Sequence, residues 1–248
     1  MSKLSKIRKM GFDVETTGVS VTEDRIVTAS LIFTGGGEMD APHDYLINPE
    51  IPIPIGASEI HGIYDADVRA RGSAAKVALE DIASRIATGF RAGYPLIGYN
   101  VSFDYSMLHW ELVRCGLPTL VERLGRKPHA IIDPYVIDKE IDRYRRGKRK
   151  LQNVAEHYGV VTGDYEWHSA SADVKATVGI AEVLFDRYQF LDRMGFNGLY
   201  GFQKMWRERQ SKSLQEYFRN PAKSGDSYNP EAVVNGEWPL IGGKDDEI

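Results

Sequence analysis

The stretch GFDVETTG at residues 11–18 constrains the fold more than any other part of the sequence. Phe12 and Val14 are apolar, whereas Asp13 and Glu15, two positions apart, are acidic. Because side chains alternate between the faces of a β-strand, we expect the apolar pair to enter a core and the acidic pair to share the opposite face. Two carboxylates that close repel each other unless a cation lies between them. The stretch therefore predicts a strand that ends either in two ordinary surface acids or in a metal site.

Strand and helix patterns alternate along the chain as far as about residue 195. After the first strand, residues 25–38 and 43–50 are predicted strands of a meander, and three prolines place residues 49–58 in a loop. The later patterns are a short strand at 94–100, a strand followed by a helix at 130–141, and helices at 72–93, 102–116, 150–160 and 171–191. Ser102 is the predicted N-cap of the second of these helices. The alternation predicts an α/β domain with a mixed sheet.

The composition changes after about residue 195, which divides the chain into a predicted domain at 1–195 and an extension at 196–248. The extension is polar, is interrupted by Pro and Gly, and has one helical pattern at about 202–219. Large aromatic residues are uncommon in a free tail, so their presence favours docking of the extension on the body. These residues are Trp206, Tyr217, Phe218 and Trp238.

Composition excludes several classes of protein. The chain has 248 residues, 42% of them hydrophobic, and a net charge of -4, so it is large enough for one core but is not a generally basic protein that coats nucleic acid. Cys115 is the single cysteine, which excludes an internal disulfide and suits a reducing compartment. The sequence has no apolar run of about 18 residues and no signal-peptide pattern, so we expect a cytoplasmic protein without a membrane partner.

Three further polar residues follow the ends of predicted elements. Asp104 lies just past the strand at 94–100, in the first turn of the next helix, and Asp173 lies in the first turn of the last helix. His168 precedes that helix in a loop, from which it can reach the same cleft as Asp173. For Asp104 and His168 taken alone, an ordinary helix-start acid and a surface loop histidine are the better explanations, and Asp173 alone is also explained by a helix start. Oxygen-rich ligand sets suit Mg²⁺ or Mn²⁺.

Taken together, these segments resemble the DnaQ-like 3′→5′ exonuclease family, of the type with four acids and a histidine. The resemblance rests on FDVETTG, YNVSFD and HSASAD in this order and spacing, and it extends to EIHGIYDADV and GKRKLQNVAEHYGV. It covers about residues 8–190. The sequence departs from the family where Tyr99 replaces a frequent His and Val174 a frequent Ala. Neither departure falls on a position that the resemblance assigns to metal binding.

The resemblance implies a ribonuclease H-like α/β fold, with a mixed five-stranded sheet flanked by helices. It also implies hydrolysis of phosphodiester bonds from a 3′ end. Two Mg²⁺ or Mn²⁺ ions would be held by the four acids, with a general base beside them. The implied metal ligands are Asp13, Glu15, Asp104 and Asp173, and the implied base is His168. The unperturbed pKa of histidine, about 6.5, suits a base that works near neutral pH.

The resemblance also suggests residues that contact substrate. The expected contacts are Thr16, Thr17, Gly18, His61, Asn100 and Phe103. For Thr16, Thr17 and Gly18 a simple turn explains the sequence equally well, and for Phe103 core packing does. Asn100 is expected to orient its loop.

Two other segments suggest partners. RYRRGKRK, at residues 143–150, holds six basic residues in an acidic chain, which favours a strip that follows the phosphates of a nucleic acid over a merely solvated charge run. QEYF, at residues 215–218, is faintly similar to a sliding-clamp peptide, although an amphipathic helix docked on the body is the better interpretation. The expected partners are therefore a single-stranded DNA 3′ end and, more weakly, a DNA polymerase or its clamp.

Three alternatives remain open from the sequence. The first keeps the chemistry but takes RNA as substrate, since discrimination depends on what meets the 2′-hydroxyl. The second is an aspartate-nucleophile phosphatase, because DVETT superficially fits that pattern, although Glu15 stands where that class needs an Asp. The third is a non-catalytic module that binds nucleic acid or assists a polymerase.

Overall fold

A mixed sheet organises the chain, as a computed structural model shows for residues 2–39, 41–161 and 170–243. Its strands are β1 (Lys9–Thr16), β2 (Ile26–Gly35), β3 (Glu38–Met39), β4 (His43–Asn48), β5 (Ser73–Ala74), β6 (Leu96–Ile97) and β7 (Ile131–Ile132). The strand order is β5-β4-β2-β1-β6-β7, and β3 pairs with β2. β1, β2 and β4 are antiparallel neighbours, whereas β6 and β7 continue the sheet in parallel from β1. β1 is therefore central.

Helices connect and cover these strands. They are α1 (Lys3–Lys6), α2 (Ile55–His61), α3 (Asp65–Arg71), α4 (Ala75–Arg91), α5 (Ser102–Arg114), α6 (Leu120–Leu124), α7 (Pro134–Ile141), α8 (Leu151–Tyr158), α9 (Ala170–Arg187), α10 (Phe190–Phe218) and α11 (Pro221–Ser224), followed by a 3₁₀ turn at Gly225–Ser227. No helix in the described ranges has the combined length and apolar character needed to cross a membrane.

The two faces of β1 are covered by different helices. Gly11 lies so close to Val174 and Val178 of α9 that a Cβ atom at this position would clash with both side chains. On the other face, Met10 fits against Gly89 of α4 in the same way. Met10 and Phe12 are almost completely buried. The alternation expected for β1 therefore separates a core face under α4 from a face under α9 that carries Asp13 and Glu15.

The predicted α/β ribonuclease H-like fold is confirmed, with differences in detail. The five expected strands are present, and two strands of two residues, β3 and β5, bring the total in the described residues to seven. The predicted loop at 49–58 is wrong at its end, because α2 begins at Ile55 directly after Pro54. Ser102 does not cap α5; Val101 occupies the N-cap position, and the Ser102 side chain makes no cap hydrogen bond.

The segment after residue 195 contributes to the interior. α10 begins at Phe190, earlier than the helix predicted at 202–219, and is interrupted at Gly195, whose φ of 63° is left-handed. Trp238 is 1% exposed, and its ring lies edge-on to Tyr200 with centroids 5.1 Å apart. Gln203 is also buried and bonds both the backbone N–H of Asp133, at 2.7 Å, and the Ile131 carbonyl, at 2.9 Å. A domain boundary near residue 195 stays a prediction.

We predict that Trp238→Ala lowers the free energy of unfolding by about 3–5 kcal/mol, because it leaves a large cavity between α10 and the body. Chemical denaturation followed by circular dichroism measures the change. Tyr144→Ala is the matched control, since Tyr144 is 90% exposed and its replacement should cost less than about 0.5 kcal/mol. Equal stability of the two variants would show that Trp238 is not packed as described.

Candidate active site

β1 brings Asp13 and Glu15 to the face that α9 covers. Asp13 is opposite Ser30 and Glu15 is opposite Thr28 on β2, and the strand register shifts just after Glu15. Lower on the same face, Lys9 is completely buried, and its Nζ lies 2.5 Å from Glu182 of α9. This ion pair fixes α9 across the strand. The first turn of α9, which carries Asp173, thereby lies near the two β1 carboxylates.

Asp104 reaches the same place from a third element. It lies in the first turn of α5, is 3% exposed, and accepts a hydrogen bond of 3.0 Å from the backbone N–H of Val14. This contact ties the start of α5 to the β1 residue between Asp13 and Glu15. The helix start and the strand end therefore hold each other in position.

The carboxylates affect one another's ionisation. Burial raises the pKa of Asp13 well above its usual value, and the charges of Asp104, Glu15 and Asp173 raise it further. Burial, followed by the charge of Asp173, raises the pKa of Glu15 to about 7. Burial also raises the pKa of Asp104 well above normal, although hydrogen bonds from the backbone N–H groups of Val14 and Asp104 oppose the rise. The structure thus places the four acids of β1, α5 and α9 in one electrostatic cluster.

The donor atoms and the charge of this cluster suit a divalent cation, but among the described residues its side chains do not form a ready coordination site. Carboxylate oxygens are the ligands that Mg²⁺ and Mn²⁺ prefer, and the mutual repulsion is the kind that a cation relieves. In residues 2–39, 41–161 and 170–243, however, no three acidic, histidine or cysteine side chains converge as a ready metal site. Coordination by Asp13, Glu15, Asp104 and Asp173 therefore remains a prediction.

His168, the predicted general base, lies outside the described residues, as does the whole of 162–169. Ser171, three residues later, lines a cleft of about 420 Å³ together with Glu15 and His61. The start of α9 therefore lies beside the acidic cluster.

His61 lies in this cleft at the end of α2 and is 9% exposed. Its Nδ1 accepts a hydrogen bond of 3.1 Å from the backbone N–H of Ile63. Burial lowers the pKa of His61, and the nearby Thr16 backbone raises it by a smaller amount. Because Nδ1 accepts a hydrogen bond, the ring proton lies on Nε2, and His61 is a hydrogen-bond donor in the cleft that Glu15 also lines.

The turn after β1 uses the side chains that were expected to contact substrate. The Thr16 hydroxyl donates to the Gly18 carbonyl at 2.6 Å, and the Thr17 hydroxyl donates to Asp24 at 2.9 Å. The Asp24 carboxylate lies so close to Gly18 that a Cβ atom there would approach it to 2.5 Å. Both hydroxyls therefore stabilise the turn, and substrate contact through Thr16, Thr17 and Gly18 remains a prediction that would fall mainly to their backbone.

Asn100 lies in the loop between β6 and α5, and Phe103 lies in the first turn of α5. Asn100 adopts a left-handed conformation, with a φ of 59°, which Asn tolerates better than most residues, and its carbonyl accepts from the Phe103 N–H at 3.0 Å. Phe103 is half-buried against the main core, which favours its packing interpretation. Asn100 lines a different hollow from the cleft that contains Glu15 and His61.

Asp133 is an important residue that the motif comparison did not identify. It is fully buried, caps α7, and accepts backbone hydrogen bonds from Asn100 at 3.0 Å and Val101 at 3.1 Å. Trp238 of the extension donates to the same carboxylate at 3.3 Å. Burial raises the pKa of Asp133 to about 6 against the opposing influence of Arg207. The local sequence IIDP, an apolar pair followed by Asp and a Pro at the helix start, indicates only a cap.

The basic segment at 143–150 is partly structural. Arg145 and Arg149 both bind the completely buried carboxylate of Asp138, at 2.8 and 2.5 Å. Arg143 pairs with Glu140 at 2.8 Å. A strip of six basic residues that all follow phosphates is therefore too broad a description, because two of them compensate a buried acid.

Comparison with known proteins places this site in a family context. Residues 10–181 match the RNase T exonuclease family model. The chain is 33% identical over 177 residues to a DNA polymerase III subunit epsilon-like protein from Rhodobacter capsulatus, covering 70% of this chain and 23% of that protein. It is 28% identical over 165 residues to DNA polymerase III subunit epsilon from Treponema pallidum, covering 66% and 70%. A PolC-type DNA polymerase III from Caldanaerobacter subterraneus is 24% identical over 80% of this chain, which spans only 13% of that polymerase.

Solved structures agree on the fold. Exonuclease I of E. coli in complex with a dT13 oligonucleotide is similar with a TM-score of 0.61 and 20% identity, covering 88% of this chain and 45% of exonuclease I. Exonuclease I from Methylocaldum szegediense gives a TM-score of 0.62 at 18% identity, covering 85% and 45%. At this identity the likeness establishes the ribonuclease H-like fold, and the chain spans less than half of these neighbours.

The raised carboxylate pKa values predict an unusual pH dependence of stability. Glu15 ionises near pH 4.5 when unfolded and near pH 7 when folded, so its ionisation costs stability as pH rises between these values. Metal-free protein should therefore melt several degrees higher at pH 5 than at pH 8. Differential scanning calorimetry in chelator measures this.

Adding Mg²⁺ should raise the melting temperature more at pH 8 than at pH 5, because protons and cations compete for the same oxygens. In chelator, the Glu15→Gln variant should show a smaller difference in melting temperature between pH 5 and pH 8, because the amide cannot ionise. A melting temperature that rises steadily from pH 5 to pH 8 in chelator would contradict this electrostatic account.

Proposed function

Because the chain belongs to the RNase T exonuclease family and has the ribonuclease H-like fold of the DnaQ-like exonucleases, we propose that it is a metal-dependent 3′→5′ exonuclease. Its substrate would be DNA, and its products nucleoside monophosphates released from the 3′ end. The single observation that most supports this proposal is the electrostatic cluster of carboxylates on β1, α5 and α9, whose charges raise the pKa of Asp13 beyond the effect of burial. Such a cluster is costly to an acidic protein unless it serves a cation.

Asp13, Glu15, Asp104 and Asp173 would hold two Mg²⁺ or Mn²⁺ ions. DnaQ-like exonucleases are generally dependent on divalent metals. When bound, such ions lower the pKa of an attacking water and neutralise charge at the scissile phosphate and leaving oxygen. The raised pKa values mean that Asp13 and Glu15 must lose protons before they coordinate, so metal affinity should increase with pH. Asp104, held by the Val14 N–H, would stay oriented during this exchange.

The remaining residues would handle the proton and the substrate. His168 would take the proton from water as the general base. His61 would donate from Nε2 to a phosphate oxygen, because its Nδ1 is already occupied by the Ile63 N–H and its ring lies in the cleft with Glu15. The backbone at residues 16–18 would border the terminal nucleotide, and the half-buried ring of Phe103 would lie against its base.

DNA is proposed over RNA because relatives of this chain are named as DNA polymerase III subunits and structural neighbours include exonuclease I bound to DNA oligonucleotides. Proofreading, repair or end trimming would all use this reaction. Association with a DNA polymerase is proposed on the same relatives. A clamp contact through QEYF is less well supported, because Gln215 in that segment accepts a hydrogen bond from the Val234 N–H at 3.1 Å.

Asp13→Asn should reduce the rate of 3′-end shortening by about a thousandfold or more at saturating Mg²⁺, since it removes a shared metal ligand. Denaturing gels of 5′-labelled DNA and matched RNA oligonucleotides, with Mg²⁺, Mn²⁺ or chelator, measure the rate. Asp226→Asn on the exposed 3₁₀ turn is the matched control and should retain full activity. An active Asp13→Asn protein would remove the metal assignment, and faster loss of RNA than DNA would reverse the substrate proposal.

His168→Ala should cut turnover severely while leaving most of the metal binding intact, because a general base contributes to proton transfer and not to coordination. Single-turnover rates and Mn²⁺ titration of the same variant separate the two effects. His157→Ala provides a control, since His157 is a partly exposed histidine on α8. Unchanged turnover in His168→Ala would exclude it from the mechanism.

A further inference from the structure

A groove lies between α7 and α10, on the side of the molecule that the extension builds. It consists of two hollows of about 420 and 360 Å³, both lined by Lys139, Gln210 and Leu214. The smaller hollow begins at Tyr99 and Asn100, and the larger ends at Arg143 and Tyr217. The shared lining residues make the two hollows direct neighbours on the surface. The groove therefore leads away from the loop that connects β6 to α5 and its Asp104.

The groove is strongly basic, although the chain carries a net charge of -4. Its cationic lining residues are Lys139, Arg143, Arg149, Arg207 and Arg209. Glu140 is the one carboxylate among the lining residues, and it is shared by Arg143 and Arg209. Lys139 Nζ has an aromatic neighbour, lying 4.9 Å from the centre of the Tyr135 ring. A polyanion would find a local excess of positive charge around Lys139, Arg143 and Arg209, because Glu140 is the only carboxylate among the described lining residues that offsets these three cations.

Polar atoms in the groove are buried without being satisfied. Arg207 Nε and Gln210 Oε1 make no hydrogen bond to any described residue. The other end of the Gln210 amide is fixed, because its Nε2 donates to the Val136 carbonyl of α7 at 3.0 Å. Buried polar atoms usually have partners, so these two atoms are exceptions in the groove wall. Because both are enclosed by protein, it is the charge and the aromatic rings of the groove that indicate a ligand.

We propose that this groove binds the single-stranded nucleic acid upstream of the 3′-terminal nucleotide, with the extension supplying one wall. The proposal rests on the proposed exonuclease function, which provides the strand. Phosphates would meet Lys139, Arg143 and Arg209, and bases would lie against Tyr135 and the 41% exposed Tyr217. Alternating cations and aromatic rings are typical of sequence-independent single-strand binding. Because the smaller hollow reaches Asn100, in the loop before α5, a nucleic-acid strand that continues to the active site is favoured over an acidic peptide bound in the groove alone.

Lys139 and Arg143 are the residues to change. Arg149 and Arg207 compensate the buried acids Asp138 and Asp133, so their loss would disturb the fold. The double variant Lys139→Gln/Arg143→Gln removes two groove cations and leaves Glu140 paired with Arg209. Lys76→Gln/Arg126→Gln is the matched control, because it makes the same charge change at exposed positions outside the groove.

Fluorescence anisotropy of 5′-labelled dT12 and dT3, in chelator to prevent cleavage, tests the proposal. The groove variant should bind dT12 about tenfold more weakly than the control and dT3 within about twofold of it, since dT3 fills only the active-site end. The slope of log affinity against log salt for dT12 should decrease by about 1.4, as expected for two lost phosphate contacts to a single strand.

Equal dT12 affinity and salt slope in the groove and control variants would overturn the proposal. It would also be overturned if the groove variant lost binding of a labelled hexa-aspartate peptide but not of dT12, because the groove would then be a protein-docking site. These measurements need no turnover. A wild-type protein that binds dT12 through the groove but cleaves no nucleic acid would therefore refute the exonuclease proposal and leave the groove assignment standing.

Discussion

Repulsion among four carboxylates is the constraint on which the rest of this structure depends. The fold holds Asp13 and Glu15 at the end of its central strand, in a position where burial and neighbouring acids raise the pKa of both. It does so by fastening the elements around them. Lys9 binds Glu182 to fix α9 across β1, and Asp104 binds the Val14 N–H to fix α5. The buried carboxylates therefore destabilise the fold locally, and the contacts around them offset this cost, as is usual for a functional site.

A second buried acid links this site to the C-terminal extension. The Asp133 carboxylate accepts hydrogen bonds from the Asn100 N–H, in the loop that precedes Asp104, and from the Trp238 indole N–H. Gln203 completes the connection by bonding the Asp133 backbone. A change in the extension would therefore reach the active-site loop through one carboxylate. The same arrangement lets α10 form a wall of the basic groove that starts at Asn100, and through this wall the extension would take part in the proposed strand binding.

The sequence was sufficient to predict what depends on local periodicity. Alternation in GFDVETTG predicted which β1 residues face together. The grouping of Asp104 and Asp173 with them came from the resemblance to the DnaQ-like family, because each acid alone indicates only a helix start. Contacts between distant residues could not be predicted. Asp133 reads locally as a cap, and the groove joins Lys139 to Gln210, about seventy positions apart. The hydrogen bond between the Thr17 hydroxyl and Asp24 could not be predicted from the sequence, because contacts within a turn depend on backbone geometry that composition does not specify.

The central claim is that the acidic cluster exchanges protons for divalent cations, and calorimetric titration with Mn²⁺ tests it most directly. Titrations at pH 7 in two buffers of different ionisation enthalpy give the number of protons released on binding. Glu15, with a pKa of about 7, is partly protonated at that pH, so binding should release protons at pH 7 and almost none at pH 9. Release at pH 7 should decrease in Glu15→Gln. Binding with no proton release at pH 7, or no binding at either pH, would contradict the account.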